Sequence, residues 1–281
     1  MPVSSDGKEI LQGIQRDLKD SGSAGRVVYV EGKTDTEMLL ALVGERKPLP
    51  MQKSEGVYRV EGAALIRPLG GRERIEKWLS VAGEAGWSNV FGIVDGDGKS
   101  KPVDEIEIGD HGLVVLPVYC TENYLALAGW PESWGPAPDW TRVMLDYLPY
   151  SALNVVNDEI AATIREIRLA VPSHVSPGDP LLGRNEIIEI LERDLKSIAD
   201  SKLIDRFEEI FANLEKEVEQ ALRLSHARIN GKWFVEHLAV HATKKSSAVC
   251  RSHWSEWIAK NGGLEEVKRL WDAILSRPRS S

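Results

Sequence analysis

A chain of 281 residues with 42% hydrophobic and 28% charged content can bury a substantial core, as one large domain or two smaller ones, and reads as globular. Its formal net charge of −8 argues against broad, nonspecific affinity for nucleic acid. No apolar run approaches the roughly 18 residues that span a bilayer, so no membrane-crossing helix is expected.

In chain order, the N-terminal MPVSSDGKEI lacks the basic-then-apolar layout of a secretory signal and points to a cytoplasmic protein. Ser21-Gly22-Ser23-Ala24-Gly25 leads into Val27–Val30, a β-branched and aromatic run that predicts a buried strand. A helix is expected next, with Thr34-x-x-Glu37 as a capping box, Met38, Leu39, Leu40, Leu42 and Val43 as its apolar face, and Gly44 as its end. Val57–Val60 predicts a second strand, Gly70-Gly71 a loop, and residues 73–85 a second helix. Val90–Val94 predicts a third strand, stopped by Asp95-Gly96-Asp97-Gly98, and residues 113–118 a fourth. Strands alternating with helices predict an α/β fold with a mostly parallel sheet covered on both faces, whose ligands sit at the carboxyl ends of its strands.

The Pro- and Gly-rich stretch 129–139 closes this region, and beyond it periodicity predicts long helices over roughly 140–170, 184–225 and 232–275. Residues 171–180 break the first two as an exposed loop. Residues 223–281 hold 11 Lys+Arg against 5 Asp+Glu, while the remainder holds 24 against 38. That basic segment reads either as a phosphate-contacting surface or as a solvated helical face. Cys120 and Cys250 are too few for a disulfide framework and read as buried or inert thiols.

Gly32-Lys33-Thr34 suggests a phosphate cradle, but the Gly-x-x-x-x-Gly-Lys-Ser/Thr pattern needs glycine at position 27, where the chain has Val27. Glu31 would also repel the phosphates. A different chemistry follows if strands 27–30 and 90–94 are neighbours. Strand spacing of about 4.8 Å then brings Glu31 and Asp95 into one cluster, and the intervening glycine lets Asp97 join them. Crowded carboxylates are costly unless a divalent cation neutralises them, and hard oxygen ligands with open positions suit Mg²⁺ or Mn²⁺.

The succession "VEGKTDTEMLL", "LGGRERIEKWL" and "GIVDGDG" resembles the TOPRIM domain, shared by primases, topoisomerases, maturation ribonucleases, recombination mediators and nucleases of the OLD (overcoming lysogenisation defect) type. "VYCTENYLAL" is similar to an element of the TOPRIM subfamily paired with ABC-type ATPases in bacterial antiphage defence, including PARIS effector subunits. The resemblance covers residues 24–128 within a TOPRIM-like unit 1–135. It extends more loosely to "INGKWFVEHL", where the helical region 136–281 would return to the site near residues 228–240.

The resemblance implies that Glu31 is a general acid/base or metal ligand, that Asp95 and Asp97 ligate the metal, and that Glu122 is an acid that either binds the metal directly or stands further out behind its ligands. It also implies that Lys232 stabilises the developing charge on a scissile phosphate. Against it stand plain roles. Glu31 reads also as a helix-terminal acid, Asp95 and Asp97 as turn formers, Glu122 as dipole compensation and Lys232 as an exposed lysine. Asp35 reads equally as a helix-start residue and as a site acid. His237, His241, Cys250 and His253 lack the tight loop of zinc ribbons, and Trp233, Trp254, Trp257 and Trp271 read as core. The acidic run Asp104, Glu105, Glu107 and Asp110 reads as a solvated loop.

The resulting expectation is a Mg²⁺- or Mn²⁺-dependent endonuclease cleaving RNA, transfer RNA or DNA. By resemblance it is the toxic effector of an antiphage system, controlled by an ABC-type ATPase subunit and oligomeric. The alternative is a non-catalytic TOPRIM recruitment module of an ATPase complex. A topoisomerase or primase ranks last, because 281 residues leave no room for a strand-passage gate and no zinc ribbon precedes the core.

Overall fold

The computed structural model describes residues 5–44, 49–52, 55–60, 62–96, 106, 108–118, 120–163, 182–195, 202–220 and 231–277. The chain opens with helix α1 (Ser5–Asp20), strand β1 (Val27–Val30) and helix α2 (Lys33–Leu42). Strands β2 (Leu49–Gln52), β3 (Val57–Val60) and β4 (Ala64–Pro68) follow, then α3 (Arg72–Glu84), β5 (Val90–Val94) and β6 (Leu113–Val115). The rest is helical: α4 (Asn123–Ala128), α5 (Trp140–Thr163), α6 (Arg184–Leu195), α7 (Lys202–Gln220) and α8 (Gly231–Phe234). A π-helical turn, Val235–Ala239, carries α8 into α9 (Val240–Thr243), and α10 (Ser247–Lys260) and α11 (Glu265–Ser276) complete the described chain. No helix among the described residues is long and apolar enough to cross a membrane.

The fold is α/β with one six-stranded sheet in the order β2-β3-β4-β1-β5-β6. β1 is parallel to β4 and β5, and β5 to β6, whereas β3 is antiparallel to both β2 and β4. The sheet is therefore mixed: the expected parallel pairing holds across β4-β1-β5-β6, and β3 alone runs against the rest. The physical reason lies in the link between Val60 and Ala64: three residues turn a hairpin but cannot make the crossover that parallel strands need. β2, β4 and α1 carry no element in the sequence pattern. α1 shows a short apolar spacing at Ile10 and Ile14, both buried.

Alternate residues of the strands enter two different cores, as a period of two requires. Val28, Val30, Ile66, Phe91 and Ile93 face α2 and the C-terminal helices, in one core with Cys250, Trp254, Leu270 and Ile274. Val27, Tyr29, Leu65, Val90 and Val94 pack on the other face with Ile10, Ile14, Ile75 and Leu79 of α1 and α3. Both faces being covered explains why Val27–Val30 is apolar without alternation. A third core joins α5, α6 and α7 around Met144, Tyr147, Leu153, Phe207 and Phe211. Arg26, just before β1, donates to the carbonyls of Leu275 and Arg277 at 2.6 and 3.0 Å, so its guanidinium caps the end of α11.

On the α1 side the sheet holds a buried charge. Asp17 is 0% exposed, accepts the Tyr29 hydroxyl at 3.0 Å and pairs with Arg67 Nε at 3.1 Å. Burial pushes its carboxyl upward against the pull of Arg67 and Tyr29. Removing one partner strands the other without water, so Arg67→Ala is expected to cost about 3–5 kcal/mol. The triple change Asp17→Leu, Arg67→Met and Tyr29→Phe, which also removes the hydroxyl that Asp17 accepts, should recover most of that loss, as read from urea unfolding midpoints.

Candidate functional site

Glu31 directly follows β1 and Asp95 directly follows β5, and the two strands pair in parallel with Val30 opposite Ile93. Both acids therefore leave the sheet at one edge, and they touch: the Asp95 N–H donates to Glu31 Oε1 at 2.9 Å. The Glu31 carbonyl accepts the Gly70 N–H at 2.8 Å, which ties its backbone to the turn before α3.

The segment after β6 supplies the opposite wall. Leu116 N–H donates to Val94 O and Gly96 N–H to Val118 O, both at 2.9 Å, so pairing continues beyond the ends of β5 and β6. A Cβ on Gly96 would lie 2.3 Å from Val118 O and 2.5 Å from Leu116 O, so glycine is needed for this backbone approach. Thr121 is thereby delivered between two acids. Its N–H donates to Asp95 Oδ1 at 3.1 Å, and its hydroxyl donates to Asp35 Oδ1 at 2.6 Å.

Asp35 is a helix-start residue that also stands in the acid cluster. Its Oδ2 accepts the Gly32 N–H at 2.7 Å, so α2 starts at Lys33 with Gly32 as N-cap and Asp35 as the capping carboxylate. This displaces the expected Thr34-x-x-Glu37 box. Asp35 also stands close enough to raise the pKa of Asp95.

Glu122 is the N-cap residue of α4, 2% exposed, and its Oε2 is buried without a hydrogen-bond partner among the described residues. Beside it, Asn123 Oδ1 accepts the N–H groups of Cys120 at 3.0 Å and Gly231 at 3.2 Å. A Cβ on Gly231 would lie 2.4 Å from Asn123 N, so the start of α8 presses on the start of α4. That contact brings Lys232, which is partly desolvated there while still reaching solvent, into the field of Glu122 and Asp95.

The electrostatics follow from this crowding. Burial first, then Asp35, Glu122 and Glu31, push the Asp95 carboxyl up to about 8 against the pull of Lys232. Burial also pushes the Glu122 carboxyl up, with Lys232 opposing, and raises the Cys120 thiol well above its usual range. Burial works to lower the Lys232 pKa, but the carboxyl groups around it, Glu122 first and then Asp95 and Asp35, outweigh it and favour the charged ammonium.

Glu31, Asp35, Asp95, Thr121 and Tyr124 line a cavity of about 10 Å³, room for one water-sized sphere. Among the described residues no three carboxylate, imidazole or thiol groups form a ready-made metal cage, and Asp97, the expected further ligand, lies outside the described residues. The donor set nevertheless fits a hard dication. It offers carboxylate oxygens, an orphaned buried oxygen on Glu122, and an Asp95 whose ionisation its neighbours oppose.

The remaining sequence candidates sit elsewhere. His253 Nδ1 accepts the Trp134 indole N–H at 3.0 Å, and the Cys250 thiol lies buried, 3.1 Å from Thr243 Oγ1. Trp254 and Trp271 are buried, and Trp257 packs half-buried against the same core. The side chains of Trp233, His237 and His241 and the acids Asp104, Glu105 and Glu107 lie outside the described set, while Asp110 is exposed. Thr121, Asn123 and Gly231 lie within the stretches VYCTENYLAL and INGKWFVEHL that carry the resemblance, but the sequence assigns them no roles of their own. Their signal is faint: a hydroxyl and an amide flanking an acid at a loop-to-helix turn. Comparisons with protein-family models, characterised proteins and solved structures found no match.

Two outcomes are expected. Gly231→Ala should lose about 1–3 kcal/mol by overpacking, measured by denaturant unfolding, because backbone atoms cannot yield to the new methyl. Asp95 has its folded pKa raised from 3.8 to about 8, so its stabilising contribution is full below pH 4 and lost as pH rises toward 8. In chelator, thermal melts should show the wild type losing stability across that window, and Asp95→Asn melting about 2–4 °C higher than wild type at pH 8.

Proposed function

We propose that the chain is a metal-dependent nuclease of TOPRIM type, similar to the OLD-like effectors paired with ABC-type ATPases. The observation that carries this reading is the Asp95 N–H to Glu31 contact at the ends of β1 and β5, with Asp35 and Glu122 crowded around it. Glu31, Asp95 and Glu122, with Asp97 from the sequence, would hold Mg²⁺ or Mn²⁺. Such an ion supplies Lewis-acid stabilisation of phosphoryl charge and a nucleophile at neutral pH.

The chain's own residues have separable tasks in this reading. Thr121 N–H and hydroxyl fix Asp95 and Asp35 in orientation. Glu31, held through Oε1 by a backbone donor, accepts the proton of the attacking water. Lys232, kept charged by the acids around it, faces the charge developing on the phosphate. The substrate is RNA, including transfer RNA, or DNA. An ABC-type ATPase subunit restrains the activity within an oligomer until infection is sensed.

A non-catalytic recruitment module is the second reading, favoured by the absence of a ready-made metal cage among the described residues. One experiment decides between them. The purified chain is incubated with Mg²⁺ or Mn²⁺ and separate DNA and RNA pools, total RNA included. Wild type should cleave one pool. Folded Glu31→Ala and Asp95→Asn variants should lose at least about 100-fold, and Lys232→Ala about 100-fold. Undiminished cleavage by the acid variants refutes the assignment. No cleavage, together with no dication binding by calorimetry, selects the module.

A further inference from the structure

The acid site has a neighbouring groove, with cations in its lining, on the other flank of the same helix. Leu39 and Leu42 of α2 line the small acidic cavity, whereas Lys33, Glu37 and Ala41 line a separate groove of about 930 Å³. Its second wall is α10, which contributes Arg251, Ser252, Ser255 and Lys260, with Pro50 of the edge strand β2 and Tyr58 of β3 beside it. The two spaces meet at the first turn of α2, where Lys33 and Thr34 belong to the groove and Asp35 to the acid site.

A polyanion gains nothing from Glu31, Asp35, Asp95 and Glu122, which repel it. A nucleic acid whose scissile phosphate sits there must draw its affinity from cations close by. The groove supplies three, Lys33, Arg251 and Lys260, together with serine and threonine hydroxyls that donate to phosphate oxygens. It also contains Glu37 and Glu256. Carboxylates are wrong for a surface that tracks phosphates alone, but they accept hydrogen bonds from exocyclic base amines and ribose hydroxyls. Those groups are exposed for such contacts when the strand is single.

Resting on the nuclease reading, we propose that the groove between α2 and α10 is the binding track for a single-stranded nucleic acid segment flanking the scissile phosphate. Lys33, Arg251 and Lys260 contact the backbone, and the two glutamates face bases or sugars.

The test is binding of fluorescein-labelled single-stranded RNA and DNA 12-mers, followed by anisotropy in chelator over a salt series. The triple variant Lys33→Ala, Arg251→Ala, Lys260→Ala should weaken binding at least about 10-fold and flatten the log–log salt slope by about 2, since each phosphate contact contributes about 0.7. Arg74→Ala, an exposed cation on α3 across the sheet, should leave both unchanged. Swapping the three residues for the alternative basic residue should keep the slope, which separates charge from damage to the fold. Wild-type affinity and slope in the triple variant overturn the track, as does preference for a duplex of the same sequence. Adding Mg²⁺ separates the two claims. Cleavage that is indifferent to the triple variant sinks the track alone, and groove-dependent binding without cleavage sinks the nuclease reading while the track stands.

Discussion

Carboxylates crowded at one rim of the sheet set the terms for the rest of the molecule. Glu31, Asp35 and Glu122 all raise the pKa of Asp95, and Lys232 is the cation that opposes them. The fold holds these groups with directed donors: Asp95 N–H on Glu31, Thr121 N–H on Asp95, and the Thr121 hydroxyl and Gly32 N–H on Asp35. Each donor fixes a carboxylate without removing its charge. The repulsion is thus organised rather than relieved, and it is the strongest physical reason to read the rim as a cation site.

The parts of this arrangement that sequence makes legible are those where one residue marks one local event. Glu31 and Asp95 each end an apolar strand, and adjacency of those strands is enough to bring them together. The hairpin β3–β4 is marked in sequence only by Gly62, at φ 73° in a three-residue link, a weaker signal than the Asn-Gly of a two-residue turn. The Thr34 box failed for a different reason. A local capping rule competes with tertiary demand, and Asp35, bonded to both Gly32 and the distant Thr121, starts the helix earlier.

Thr121, Asn123 and Gly231 were beyond reach because their meaning lies in long-range backbone approaches. Gly231 meets Asn123 across 108 residues and Thr121 meets Asp35 across 86. A glycine required by a distant main chain looks in sequence like any other. Gly96 is similar: it stands between two acids as an ordinary turn glycine, yet the neighbouring carbonyls of Leu116 and Val118 exclude a side chain.

The cap that Arg26 places on α11 joins residues 249 positions apart, and the core that receives Trp254, Leu270 and Ile274 is also the one behind Val28 and Phe91. During synthesis, at roughly 5–20 residues per second, Arg26 precedes Leu275 by on the order of 10–50 s. Throughout that interval the face of the nascent sheet that α2 covers only in part lacks its C-terminal helices, and until Gly231 docks on Asn123 Lys232 is not beside the acids. An incomplete chain on the ribosome therefore lacks the assembled carboxylate–lysine rim, and exposes an apolar surface that a chaperone can hold.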